Sequence, residues 1–294
     1  MALRHKVLAV DNSPVILKIV SNILERAGCE VETAGDGLEA LDLLRTFNPD
    51  IIFTDLVMPK IDGGKLSHII RNTPAYKDLF LVVLSGIALE DDTNILELGA
   101  DVCIAKGPAA TMKEHILAAL DQFETGRRGN TTVQGLQGLY PREVTSELLV
   151  NKRHSEVIIE QMTEGVVEFD GLGRIVRANS ACCELFNLPE AKILGTDFIS
   201  LLPEIHQQKI RRWIDALSPA ANNTPLVFNY DHPVLLHGSQ VTFNLIPLFG
   251  ENTPFVIGLL KNESARKQMD EKKQQLEKES LLTIFLWIIC YFLP

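Results

Sequence analysis

Residues 50–63 read DIIFTDLVMPKIDG: a short β-branched run closed by Asp55, then a loop holding Pro59 and Gly63. Such a run, apolar at consecutive positions, suits a strand buried on both faces of a parallel sheet. Four runs of the same kind surround it: KVLAV (6–10), EVETA (30–34), LFLVVL (79–84) and DVCIA (101–105). Amphipathic stretches separate them, at Pro14–Ala27, Leu38–Phe47, Gly64–Arg71, Asp91–Leu98 and Thr111–Phe123. In the first, Val15, Ile19, Ile23 and Leu24 share one face, and Pro14 sits where a first helical turn tolerates proline. Five strand–helix units within residues 6–123 predict an α/β doubly wound, five-stranded parallel sheet.

Ligands of such sheets bind beyond the carboxyl ends of the strands. The residues there are Asp11 and Asn12 after the first run, Asp55 after the third, Ser85 after the fourth and Lys106 after the fifth. Two carboxylates, an amide, a hydroxyl and an ammonium therefore converge at one end of one sheet. Clustered carboxylates repel unless neutralised, and oxygen ligands suit a hard cation such as Mg²⁺. A carboxylate is also a nucleophile able to form an aspartyl phosphate. Asp55, closing the central strand, is placed best for that role. Lys106 and Mg²⁺ would balance the phosphoryl oxygens, and Ser85 would donate to one.

The 294-residue chain has a formal charge of −10, with 28 Lys plus Arg against 38 Asp plus Glu. Residues 1–124 carry 11 basic and 19 acidic side chains, and so −8 of it. That balance argues against a nucleic-acid partner. Five cysteines in no C-x-x-C pattern, and no signal peptide, predict free thiols in the cytoplasm.

The pieces VDNSP (10–14), TDLVMPKIDG (54–63), LSG (84–86), ELGAD (97–101) and AK (105–106) together resemble the receiver domain of two-component response regulators, over roughly residues 4–124. The resemblance implies a flavodoxin-like fold with Asp55 as phosphoacceptor, Ser85 as switch hydroxyl and Lys106 as phosphate counter-ion. It implies a Mg²⁺ site of Asp11, Asn12, Asp55 and the Val57 carbonyl, and a histidine kinase or phosphotransfer protein as donor. Four departures stand out. Asn12 replaces the usual second acid, so weaker Mg²⁺ binding is expected. Gly107 replaces the proline after the lysine, so a trans bond and a shifted loop are expected. Ile104 replaces the switch aromatic. Val57 and Ile87 are apolar where polar groups often orient hydrolytic water, which predicts a long-lived phosphoryl group.

Residues 125–138 (TGRRGNTTVQGLQG) hold four glycines and no apolar periodicity, and read as a flexible connector. From Pro141 the pattern is helical, with Val144, Leu148, Ser155, Ile158, Ile159 and Met162 near one stripe, either a dimeric signalling helix or one docked on the next domain. Beyond it come a hairpin signal at Val166–Asp170 and Arg174–Ala178, a helix over Ser180–Phe186 capped by Asn179, a helix at His206–Leu217, and strands at Leu226–Tyr230, Gln240–Pro247 and Pro254–Leu260. This α+β order, with EGVVEFDGLGRIVRAN (164–179), FNLPEAKILG (186–195) and FVIGLLKNES (255–264), resembles a PAS domain with an antiparallel sheet. The resemblance implies a sensing or dimerising module, with a homodimer expected through it and its flanking helices. It names no ligand. His206 reads as a surface helix residue, which disfavours haem. No flavin-type N-C-R-F-L-Q run occurs. Cys182 and Cys183 read as buried thiols.

The organisation expected is a receiver (1–124), a linker and signalling helix (125–151), a PAS domain (152–264), then a charged helix and apolar tail (265–294). The charged stretch is read as starting at Lys261. The tail, LLTIFLWIICYFLP (281–294), would span about 21 Å as a helix, short of a bilayer core of about 30 Å. Packing on another subunit or gene truncation is favoured over membrane contact. No kinase, cyclase or ATPase motif is present, so the expectation is a phosphorelay receiver coupled to a sensor and no further enzyme. The alternatives are a hybrid histidine kinase lacking its catalytic part and a binding module with an inert receiver.

Overall fold

The computed structural model describes residues 5–86, 98–126, 132–134, 154–218, 224–229, 232–249 and 254–264. The first unit is built on parallel strands β1 (Lys6–Val10), β2 (Glu30–Ala34), β3 (Ile51–Asp55), β4 (Phe80–Ser85) and β5 (Val102–Ala105), in the order β2-β1-β3-β4-β5. The third strand is shifted by one residue from the sequence reading, so Asp55 is its last residue and pairs with Leu84. Helices α1 (Pro14–Arg26), α2 (Gly37–Phe47) and α3 (Gly63–Asn72) and the helix Ala109–Glu124 complete the unit. Alternate strand residues face opposite sides of the sheet. On one side Val7, Ala9, Ile51, Phe53, Val82, Leu84, Val102 and Ile104 pack with Val20, Leu24, Met112 and Ile116. Each is almost wholly removed from water, at about 1.5–3 kcal/mol for a large aliphatic or aromatic side chain. The expected helix at Asp91–Leu98 lies outside the described residues, apart from Leu98.

One reading needs correction. The glycine-rich stretch after the first unit is not connector throughout. Its Thr132–Gln134 forms β6, which extends the five strands to a sixth, parallel to β5, with Cys103 opposite Val133. A strand that adds three residues to an existing edge needs little apolar character of its own.

The second unit is an antiparallel sheet in the order β10-β11-β12-β7-β8, with β9 also on β11. Its strands are β7 (Gly165–Asp170), β8 (Ile175–Ala178), β9 (Leu226–Phe228), β10 (Val234–Leu236), β11 (Ser239–Phe249) and β12 (Pro254–Asn262). The pairing of β12 with β7 ties residues 254–262 to the hairpin at the start of the domain. β10 escaped the sequence reading. It joins β11 through His237 and Gly238, whose φ values of 47° and 85° fit a two-residue turn of the type that matches strand twist. Lys261 and Asn262 end β12 and do not start the charged helix. Residues 265–294, with the rest of that helix and the apolar tail, and residues 141–153 lie outside the described residues, while 154–160 are helical as expected.

Phenylalanines fill the core of this sheet. Phe169 stacks on Phe198 with centroids 4.7 Å apart, and Phe186 and Phe243 meet Phe198 edge-on. The buried Asn179 caps the helix Ser180–Phe186. Its Oδ1 accepts from Cys182 N and Val166 N, and its Nδ2 donates to Glu164 O. One side chain thereby fixes the helix to both ends of the strand entry.

Candidate functional site

The carboxyl ends of β1, β3, β4 and β5 place Asp11, Asp55, Ser85 and Lys106 together, as the sequence predicts. Asp11, Asp55 and Ser85 are buried, with at most 6% of their surface exposed. Lys106 Nζ lies 2.7 Å from Asp11 Oδ2 and 2.8 Å from Asp55 Oδ1, so one ammonium bridges two carboxylates. Asp55 Oδ1 also accepts from the Leu56 amide at 2.9 Å, and Asp11 Oδ1 from the Ser13 amide at 2.8 Å. The Lys106 amide donates to the Ser85 carbonyl at 2.7 Å, which fixes the end of β5 beside β4.

Burial pushes the Asp55 carboxyl above its ordinary 3.8, and the negative charge of Asp11 adds to this. Lys106 and the Leu56 amide pull the other way. Asp11 Oδ2 is buried, and its contact with Lys106 is off the hydrogen-bond direction, so that oxygen keeps accepting capacity. Two carboxylates, one with an under-used buried oxygen, form a donor set that suits a hard cation retaining several waters. Among the described residues no group of three or more His, Cys, Asp or Glu side chains is placed to hold a metal. Asn12 is exposed beside the pocket, as is the Val57 side chain.

The sequence reading gave no role to the groups that shape the loop after β3. A Cβ on Gly63 would lie 1.9 Å from the Asp55 carbonyl oxygen, and one on Gly37 would lie 2.3 Å from the Ile61 carbonyl oxygen. Only glycine permits these approaches. Asp62 caps α3 by accepting from Lys65 N. Lys60, at φ 60°, reaches Asp36 Oδ2 at 2.6 Å, while Asp36 Oδ1 caps α2. The loop carrying Val57 is thus pinned at Gly63, Ile61 and Lys60. The signal in the sequence was the D-G pair at 62–63, legible as a helix start but not as a close approach to Asp55.

The structure also places the other residues that the sequence singles out. Burial raises the Cys182 thiol to about 12, whereas Cys183 is half-buried. His206 is half-buried on the helix Glu204–Asp215, with its ring 5.3 Å from that of Phe228, and burial followed by Lys209 lowers its pKa. Ile104 is part of the core, with 1% exposed. The Lys106–Gly107 bond is trans. Ile87 lies outside the described residues. Among the described residues no helix is long and apolar enough to cross a membrane.

Comparison with known sequences agrees with the geometry. The family model for the response regulator receiver domain matches residues 7–119, and a PAS domain model matches residues 153–219. Protein PilG of Pseudomonas aeruginosa is 34% identical over 116 residues, which cover 39% of this chain and 84% of that protein. A gliding motility regulatory protein of Myxococcus xanthus is 37% identical over 123 residues, 42% of this chain and 16% of that protein. A protein-glutamate methylesterase/protein-glutamine glutaminase of Anaeromyxobacter dehalogenans is 45% identical over 105 residues, 34% of this chain and 29% of that protein. The chain thus spans most of the first relative and less than a third of the other two.

Proposed function

The chain belongs to the response regulator receiver family, and on that premise we propose that Asp55 accepts a phosphoryl group and that the signal passes to the PAS module. The observation that carries this reading is the bridge from Lys106 Nζ to Asp55 Oδ1 and Asp11 Oδ2, at 2.8 and 2.7 Å. It holds a buried nucleophile beside a cation, with Ser85 ending the neighbouring strand.

Receivers are phosphorylated by histidine kinases or phosphotransfer proteins, so the donor is a phosphohistidine. An Asp55 carboxylate oxygen attacks phosphorus as the phosphorus–nitrogen bond breaks. The imidazole leaves with the bonding pair and takes up a proton. Asp11, Asn12, Asp55 and the Val57 carbonyl would hold Mg²⁺, which neutralises charge on the transferring group. Lys106 balances a second oxygen, and the Ser85 hydroxyl donates to a third. Exposed Val57, which offers no polar group to orient water, supports slow hydrolysis of the aspartyl phosphate.

The second module is best taken as residues 152–264, because β12 pairs with β7. We read it as a relay or dimerising module. The whole is read as a cytoplasmic signalling protein whose one reaction is phosphoryl transfer to Asp55.

The test is incubation of the full chain with a small phosphodonor and Mg²⁺, followed by intact mass. Wild type should gain one phosphoryl group and Asp55→Asn none. Equal uptake by both would overturn the assignment.

A further inference from the structure

We propose that the β5 edge is a strand-accepting surface occupied by the chain's own Thr132–Gln134, and that a phosphoryl group on Asp55 releases this strand. The second half rests on the reading of Asp55 given above. In the register of the two strands, Val102 is opposite Thr132, Cys103 opposite Val133 and Ile104 opposite Gln134. Without β6, β5 would be the edge of the sheet. Val102, Cys103, Ile104 and Ala105 are all buried, with exposures of 0, 2, 1 and 8%. These exposures hold with β6 in place; without it the outward amides and carbonyls of β5 would form an unpaired sheet edge, and β6 pairs them.

The tether favours this occupant over any other. The helix Ala109–Glu124 ends in the turn Thr125–Gly126, and only residues 127–131 separate that turn from β6. A short tether keeps the local concentration of the strand high. Strand, helix and strand form a crossover unit, the ordinary way to add a parallel neighbour.

The last rung of this ladder, Ile104 opposite Gln134, lies two residues before Lys106. Lys106 is held at once by Asp11, Asp55 and, through its amide, Ser85. A phosphoryl group on Asp55 draws the ammonium off Asp11 and moves the end of β5. Three residues make a short strand where five or six is typical, so the ladder is weak enough for such a shift to decide it. All of the chain from residue 135 onward, including the PAS module, hangs from this strand. Its release removes the last described attachment to the receiver sheet before residue 154.

Amide hydrogen exchange on the full chain tests both halves, read on peptides spanning residues 101–106 and 130–136. Unphosphorylated wild type should protect both peptides. The variant Thr132→Gly, Val133→Pro, Gln134→Gly should lose protection at 101–106 while still gaining one phosphoryl group by mass, which shows it folded. Phosphodonor with Mg²⁺ should speed exchange of 130–136 by ~10-fold in wild type and leave Asp55→Asn unchanged. Exchange at 130–136 in unphosphorylated wild type as fast as in the triple variant would overturn the docked strand. Slow exchange there after mass has shown the phosphoryl group in place would overturn its release. Absence of any phosphoryl uptake would overturn the reading of Asp55 and the release with it, while the docked strand is still judged on the unphosphorylated rates.

Discussion

Two buried polar groups of the second unit, Asn179 and Asp170, are answered differently from the two carboxylates at the end of the parallel sheet. In the antiparallel sheet Asn179 is answered by backbone: it accepts from Val166 and Cys182 and donates to Glu164. Asp170 in the same sheet accepts from the amides of Leu172 and Arg174, which closes the β7–β8 turn. These hydrogen bonds hold the fold together. In the parallel sheet Asp11 and Asp55 are answered chiefly by another charge, Lys106, and Asp11 Oδ2 keeps accepting capacity. A buried charge compensated by a single movable ammonium is costly to hold and easy to re-partner. The difference sets Asp11 and Asp55, held by a charge, apart from Asn179 and Asp170, held by backbone.

The largest effect that sharpens this comparison belongs to the antiparallel sheet. Phe198→Ala removes the ring that stacks on Phe169 and meets Phe186 and Phe243. It should cost about 3–5 kcal/mol and lower one thermal transition in calorimetry, with phosphoryl uptake at Asp55 unchanged. Loss of uptake would mean that the two modules are not separable.

Next comes the loop beside the reactive group. Gly63→Ala forces a Cβ to within 1.9 Å of the Asp55 carbonyl oxygen, whereas a Cβ on Gly64 meets nothing closer than 3.4 Å. The first should cost about 1–3 kcal/mol and slow phosphoryl uptake, measured by denaturant unfolding and by label incorporation. The second should do neither. Equal behaviour of the two variants would show that the pinned loop does not shape the site.

The smallest effect carries a sign. Because burial raises the Asp55 pKa above 3.8, the folded state disfavours its ionised form. Below 3.8 the group is protonated folded and unfolded, and its contribution to stability is fully present. As pH rises through the folded value, that contribution is lost. Asp55→Asn should therefore be more stable than wild type at neutral pH, by about 1 kcal/mol, with the gap closing as pH falls towards 4. A variant less stable than wild type at pH 7 would mean that Lys106 more than compensates the burial of the carboxylate.

Much of this was legible from sequence, for physical reasons that also mark where legibility stopped. Strands buried on both faces announce themselves as unbroken apolar runs, which is why KVLAV coincides with β1 and LFLVVL with most of β4, whereas EVETA forms the largely exposed edge strand β2. Asp11, Asp55, Ser85 and Lys106 were found because topology alone sends the ends of parallel strands to one place. The role of Gly63 was hidden, since its constraint is set by the Asp55 carbonyl eight residues back and not by its neighbours. β6 was hidden for a related reason. Thr132-Val133-Gln134 sits among glycines and gains its strand character from the edge of β5. β10 was too short to show a period and betrayed itself only by His237-Gly238, while a single lysine disguised the end of β12 as the start of a helix.

The proposed phosphoryl transfer rests most directly on the chemistry of one side chain. After treatment with a small phosphodonor and Mg²⁺, borohydride converts an aspartyl phosphate to homoserine at the residue that carried it. Peptide mass spectrometry should find homoserine at position 55 alone. Aspartate left intact at 55 after phosphoryl uptake, or homoserine at Asp11 in its place, would contradict it.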